Sequence, residues 1–147
     1  MNPSSTLTAS TTRAESNIQT IEQIYAAFGR GDVTYIMAQL TDDISWDEGV
    51  RVTDLPWFQS GQGSAHVLAC FQALVSGLSF STFDVQSIVG NDEVVVGVVR
   101  EIGTIVSTGK PVDEDLFVHI WKLDSAGKVY SFRHVGDLAR HEAPFHA

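Results

Sequence analysis

The spacing of large apolar residues changes once along this chain, and that change limits the folds open to it. Up to about residue 77 most recur at helical intervals, apart from a short extended segment at 44–48 and an aperiodic stretch at 49–63; beyond it they alternate or run together as in strands. Ile18, Ile21, Ile24, Tyr25 and Phe28 share one helical face, with Ser16 and Gln19 as a capping box and Gly29 placed for the left-handed turn that ends a helix. Asp32 suits the cap of a short second helix carrying Val33, Ile36, Met37 and Leu40. A third helix runs from Ser64, with Val67, Leu68, Phe71, Leu74 and Val75 inward and Gly77 as its stop. Four β-rich runs follow, 79–89, 93–106, 112–123 and 128–136, each parted from the next by residues that favour turns, such as Gly90-Asn91-Asp92. Helices first and strands later imply an α+β fold, with three N-terminal helices packed on one face of a curved antiparallel sheet.

A chain of 147 residues with 44% hydrophobic content is enough for one core. Residues 1–16 are rich in Ser and Thr and cannot bury enough surface to offset the entropy of ordering them, so they read as a flexible tail. The domain is expected over 17–140, with a second tail at 141–147. A formal charge of −9 and no clustered Lys or Arg argue against nucleic acid or an anionic membrane surface as partner. Cys70 is the single cysteine, which excludes an intrachain disulfide and argues against a cysteine zinc site. A soluble, cytoplasmic protein is expected, because no apolar run approaches the roughly 18 residues of a membrane span and the N-terminus lacks a signal-peptide order.

Two runs, VVVGVV at 94–99 and LFVHIW at 116–121, are apolar on both alternating faces, whereas a sheet covered on one side should be polar on the other. A homodimer through the outer sheet face is the simplest cover.

No phosphate-loop, dinucleotide, zincin or nucleophile-elbow motif occurs, so neither a metal nor an organic cofactor is expected. What remains is a set of ionisable groups among aromatics, where burial makes acids and bases useful near neutral pH. His119 shares a strand face with Phe117 and Trp121; His134 shares one with Phe132. Extending the alternation Ile44, Trp46, Glu48 places Glu48 at the end of an apolar face, and Glu101 lies mid-strand beside Arg100. Asp137 closes the last strand. Phe28, Trp46, Trp57, Phe58, Phe71, Phe117, Trp121 and Phe132 are the candidate walls of an apolar ligand pocket. Each of these residues also has a plainer reading, as packed core, a solvated strand end or a salt-bridged rim.

The order IEQIYAAFGRGDV, TDDISWDEG, then VREIGTIVSTGKPVDEDLFVHIWKLDSAGKVYSFRHVGDLARH resembles the SnoaL-like branch of the nuclear-transport-factor-2-like superfamily over about residues 18–140. That resemblance implies a cone-shaped α+β barrel, usually dimeric, with a deep pocket between the helices and the concave sheet. It includes polyketide cyclases, ketosteroid isomerases, limonene-epoxide hydrolases, dehydratases and pocket proteins without known catalysis. Against the isomerase pattern, Glu48 falls where the proton-shuttling aspartate stands and His119 where the acid of the oxyanion hole stands, while the tyrosine of that hole falls on Ile24. Against the epoxide-hydrolase pattern, Val99 replaces the arginine, and Glu101 and His134 replace the two aspartates. Cyclases of the family use a late aspartate, whose place His134 or Asp137 would take. The resemblance therefore implies a cofactor-independent acid/base enzyme, of isomerase, cyclase, dehydratase or hydrolase type, acting on an apolar carbonyl-containing small molecule. Glu48 would take a proton α to the carbonyl, and His119, with His134, would donate hydrogen bonds to the enolate. The alternatives are a non-catalytic small-molecule-binding protein of the same fold and an assembly module that uses only its outer sheet face.

Overall fold

A computed structural model describes residues 11–147. Helix α1 (Arg13–Gly29) starts earlier than the expected Ser16 cap, because Thr12-x-x-Glu15 supplies a better one: the Thr12 hydroxyl accepts the Glu15 backbone N–H at 3.1 Å and bonds the Glu15 carboxylate at 2.9 Å. The buried Asn17 amide holds this first turn in place by donating to the carbonyls of Asn91 and Asp92. The expected tail over 1–16 is thus helical from Arg13, and its residues 1–10 lie outside the described part. At the other end Gly31, not Gly29, takes the left-handed conformation, with φ +73°.

Asp32 caps α2 (Val33–Ala38) through a bond from the Tyr35 N–H, and Leu40, expected in that helix, instead opens strand β1 (Leu40–Trp46). An irregular stretch leads to the two-residue β2 (Gly61–Gln62) and then to α3 (Ser64–Gly77). The inward stripe of α3 is Val67, Cys70, Phe71 and Leu74; Leu68 and Val75, expected inward, sit on its exposed flank. Gly77 ends the helix where any Cβ would strike the Trp57 indole.

Strands β3 (Leu78–Gly90), β4 (Val94–Ile105), β5 (Pro111–Leu123) and β6 (Val129–Val135) form the expected antiparallel meander. The sheet order is β2-β1-β6-β5-β4-β3, with β1 joined to β6 in parallel, so the sheet is mostly rather than wholly antiparallel. The helices cover its concave face around a core that includes Ile21, Ile24, Ile36, Ile44, Val95 and Trp121. Residues 139–145, which begin at the end of the expected domain and run through most of the expected C-terminal tail, form a helix, α4 (Ala139–Phe145), whose His141 is fully buried. No helix among the described residues is long and apolar enough to cross a membrane.

Candidate functional site

A cavity of about 90 Å³ lies between the helices and the concave sheet. All eight aromatic candidates, Phe28, Trp46, Trp57, Phe58, Phe71, Phe117, Trp121 and Phe132, line it, with Tyr25, Phe80 and Phe83 beside them. His119, His134 and Glu101 also reach its wall; Glu48 does not.

The placement of Glu48 is corrected by a local break in strand alternation. β1 ends at Trp46, and Asp47 turns into the left-handed region at φ +54°, which an aspartate tolerates better than most residues. Two successive side chains, Trp46 and Asp47, therefore both face inward, and Glu48 is thrown out to solvent. Asp47 is 1% exposed, and its Oδ1 accepts the backbone N–H of His134 at 2.7 Å. Burial pushes its carboxyl above the usual carboxylate range, against that hydrogen bond and the nearby His134, Arg133 and His66, all of which favour the charged form. The Asp-Glu-Gly sequence, a turn signal, was the one clue to this reversal.

His119 is held by α1. Trp121 Nε1–H donates to the Tyr25 hydroxyl oxygen at 3.2 Å, so the hydroxyl hydrogen goes to Nδ1 of His119, 2.8 Å away. The ring is then the Nε2–H tautomer. Burial, helped by the neighbouring His134, drives the His119 pKa well below the ordinary histidine value, so the ring is neutral. Burial likewise raises the Tyr25 phenol far above its usual range, keeping its proton in place. Tyr25 can approach because Gly97 pairs with His119 across β4 and β5, and a Cβ at Gly97 would overlap the Tyr25 hydroxyl. Ile24, onto which the family's tyrosine falls, also lines the cavity, but the hydroxyl comes from the next residue.

Beyond His134 lies a buried ionic cluster that alternation along β5 hides. Val99 pairs with Phe117 and Glu101 with Glu114, so Asp115 and Leu116 together oppose Arg100 in a β-bulge. This extra residue puts Glu114 on the same face as Phe117, although strict alternation would send it outward. Glu114 Oε1 lies 3.0 Å from His141 Nε2 and 3.3 Å from His134 Nε2, while its Oε2 accepts the Asp137 N–H at 3.1 Å. Asp137 itself is exposed and contributes its backbone rather than its carboxylate to the cluster. Burial would raise the Glu114 carboxyl, but the bond to His141 and the His134 ring close beside it outweigh burial and hold it at about 2. Glu101 Oε1 sits 2.8 Å from His141 Nε2 yet off the line of its N–H, and is left without a hydrogen-bond partner. Both ring nitrogens of His134 are also buried and without a hydrogen-bond partner, its ring stacking on Phe58 and lying tilted against Phe117.

The donor atoms of Glu101, Glu114 and His141 lie within 4.8 Å of one another, close enough to share one cation. The proton inventory argues against it. Trp57 Nε1–H donates to His141 Nδ1 at 3.3 Å, so the ring's remaining nitrogen carries the hydrogen and has no lone pair to give a metal.

The SnoaL-like domain model matches residues 21–132. Among solved structures, an NTF2-like protein of unknown function from Burkholderia pseudomallei is 22% identical, with 90% of this chain and 98% of that chain covered and a TM-score of 0.77. A putative polyketide cyclase from Xanthomonas campestris is 15% identical, covering 90% and 98% at a TM-score of 0.72. TerC, co-crystallised with polyporic acid, is 21% identical, covering 90% and 99% at 0.71. At these identities the likeness shows the fold. No curated protein matches the chain.

Proposed function

Since the chain belongs to the SnoaL-like domain family, we propose that its cavity is the active site of a cofactor-independent acid/base enzyme acting on an apolar, carbonyl-containing small molecule. The observation that carries this reading is the pairing, in one aromatic chamber, of a desolvated carboxylate, Asp47, with a neutral imidazole, His119, whose tautomer is set by Tyr25. Asp47 takes the role first read for Glu48. Its ionised form removes a proton from the carbon next to the carbonyl, and its raised pKa makes it a stronger base than a solvated carboxylate. His119 Nε2–H donates a hydrogen bond to the oxygen on which charge develops. As a neutral donor inside a water-poor site it needs no reorganisation during the step, and one such donor is typically worth about 3 kcal/mol of barrier. The aromatic walls hold the carbon skeleton by dispersion and area burial.

The outer sheet face supports dimer formation in this reading. Leu116 and Val135 are exposed there, beside the half-buried Val118 and Ile120.

The test is proton exchange on a simple bicyclic ketone. With 2-tetralone in D2O, the parent should speed deuterium uptake at the α-carbons, followed by proton NMR. Asp47→Asn should fall to the buffer rate while Glu48→Gln keeps the parent rate. An unaccelerated parent that still binds the ketone would instead support a non-catalytic binding protein.

A further inference from the structure

We propose that His134 is a second substrate-contacting residue of the chamber, holding a hydroxyl set 1,3 to the carbonyl that His119 binds. It rests on the reading above for the place of that carbonyl, and it narrows the substrate from any apolar ketone to one with a second oxygen on the next carbon but one. Its test reads binding alone, so the two readings fail separately.

Three imidazoles lie in or beside this chamber, and their partners differ. His119 Nδ1 bonds the Tyr25 hydroxyl, while His141 bonds the Trp57 indole on one side and Glu114 on the other. His134 lines the cavity and is 4% exposed, yet neither of its ring nitrogens has a hydrogen-bond partner among the described residues. Glu114 stands near without serving as one: its Oε1 is 3.3 Å from His134 Nε2, outside hydrogen-bond geometry, and already bonds His141. The ring is nevertheless held firmly. Its backbone N–H gives to Asp47 Oδ1 at 2.7 Å, Phe58 stacks on it with centroids 4.4 Å apart, and Phe117 lies tilted against it at 4.8 Å. A buried polar group fixed without a bond raises the free energy of the fold, and a ligand that supplies the bond removes that cost.

The chemistry of the ring names the group that suits it. A neutral imidazole has one donor and one acceptor nitrogen, whereas a hydroxyl acts as either, so a hydroxyl pairs with His134 in both tautomers. The sheet sets where that hydroxyl sits. His134 stands directly opposite His119 in the pairing of β5 with β6, and their ring centroids are 5.7 Å apart. Neighbouring strands run about 4.8 Å apart, and two oxygens on alternate carbons of a six-membered ring span about that distance. Oxygens on adjacent carbons are too close together to meet both rings.

The experiment titrates the full chain with phenol, resorcinol and catechol, the smallest rings that carry one oxygen, two set 1,3 and two set 1,2, and follows nitrogen NMR of labelled histidine. Resorcinol should bind about tenfold more tightly than phenol or catechol, the gain from one hydrogen bond to a group that otherwise lacks one. It should move the ring nitrogen signals of both His119 and His134, where phenol moves those of His119. In His134→Phe, which keeps an aromatic ring and loses both nitrogens, the advantage of resorcinol should disappear. Equal affinities in the parent overturn the proposal without reference to any variant, as does a His134 signal that resorcinol leaves in place. So does an advantage that survives in His134→Phe. A parent that fails to speed exchange in 2-tetralone but keeps the resorcinol advantage loses only the catalytic reading.

Discussion

Tyr25 gives its phenolic hydrogen to Nδ1 of His119 across 2.8 Å, and this bond joins the first helix of the fold to the middle of its sheet. Tyr25→Phe leaves that nitrogen, and the Trp121 indole N–H, without their partner. The expected cost is about 1–3 kcal/mol of unfolding free energy, read by urea denaturation. Gly97→Ala should cost a similar amount by a different route, because the new methyl overlaps the Tyr25 hydroxyl and forces the tyrosine away from His119.

Asp47→Asn separates stability from chemistry. A folded carboxyl whose pKa is raised binds its proton more tightly folded than unfolded, so its contribution is present below the unfolded value and lost as pH rises through the folded one. At neutral pH the ionised Asp47 is therefore a burden. The asparagine keeps an oxygen for the His134 N–H and removes the charge, so denaturation midpoints near pH 7 should rise while ketone exchange disappears. Glu48→Gln, at an exposed site, should leave both unchanged.

Glu114 predicts the acid limb of the stability profile. Its carboxyl falls from 4.5 to about 2 on folding, so its contribution is complete above the unfolded value and lost as pH drops from about 4.5 toward 2. That difference corresponds to roughly 3 kcal/mol. Glu114→Gln should lower stability at pH 7 by an amount of this order and flatten the decline between pH 4.5 and 2, measured as urea midpoints across that range. An unchanged slope would remove Glu114 from the account.

The proposed dimer is tested on the outer face. Leu116→Asp places a charge at a residue that is 63% exposed in the isolated chain and should halve the mass seen by light scattering while leaving the far-UV spectrum intact. A parent that is already monomeric ends the idea.

The order of elements was legible because periodicity is a local property. The four β runs lie within a few residues of β3 to β6, and Asp32 caps α2 as its side chain dictates. Thr12 and Glu15 also have capping-box spacing in the sequence, but they lie in a Ser/Thr-rich stretch whose composition favours a tail. Seen in projection, the aromatic residues and His119 also point to one chamber, because alternation within an unbroken strand needs no tertiary information.

Parity fails where the backbone changes conformation, and the ionisable groups whose placement departs from simple alternation sit at such points. The left-handed turn at Asp47 exchanges it for Glu48, the bulge at Asp115 and Leu116 brings Glu114 inside, and α4 carries His141 back onto the sheet. The amino-acid order alone determined the fold class, the aromatic residues that line the cavity and the imidazole of His119 on its wall, since these follow from the spacing of neighbours along the chain. Which carboxylates enter the chamber, and which nitrogen of His119 and of His141 accepts a hydrogen bond, was decided only by packing: those choices depend on partners such as Trp57 and Tyr25, distant in sequence and adjacent only after folding.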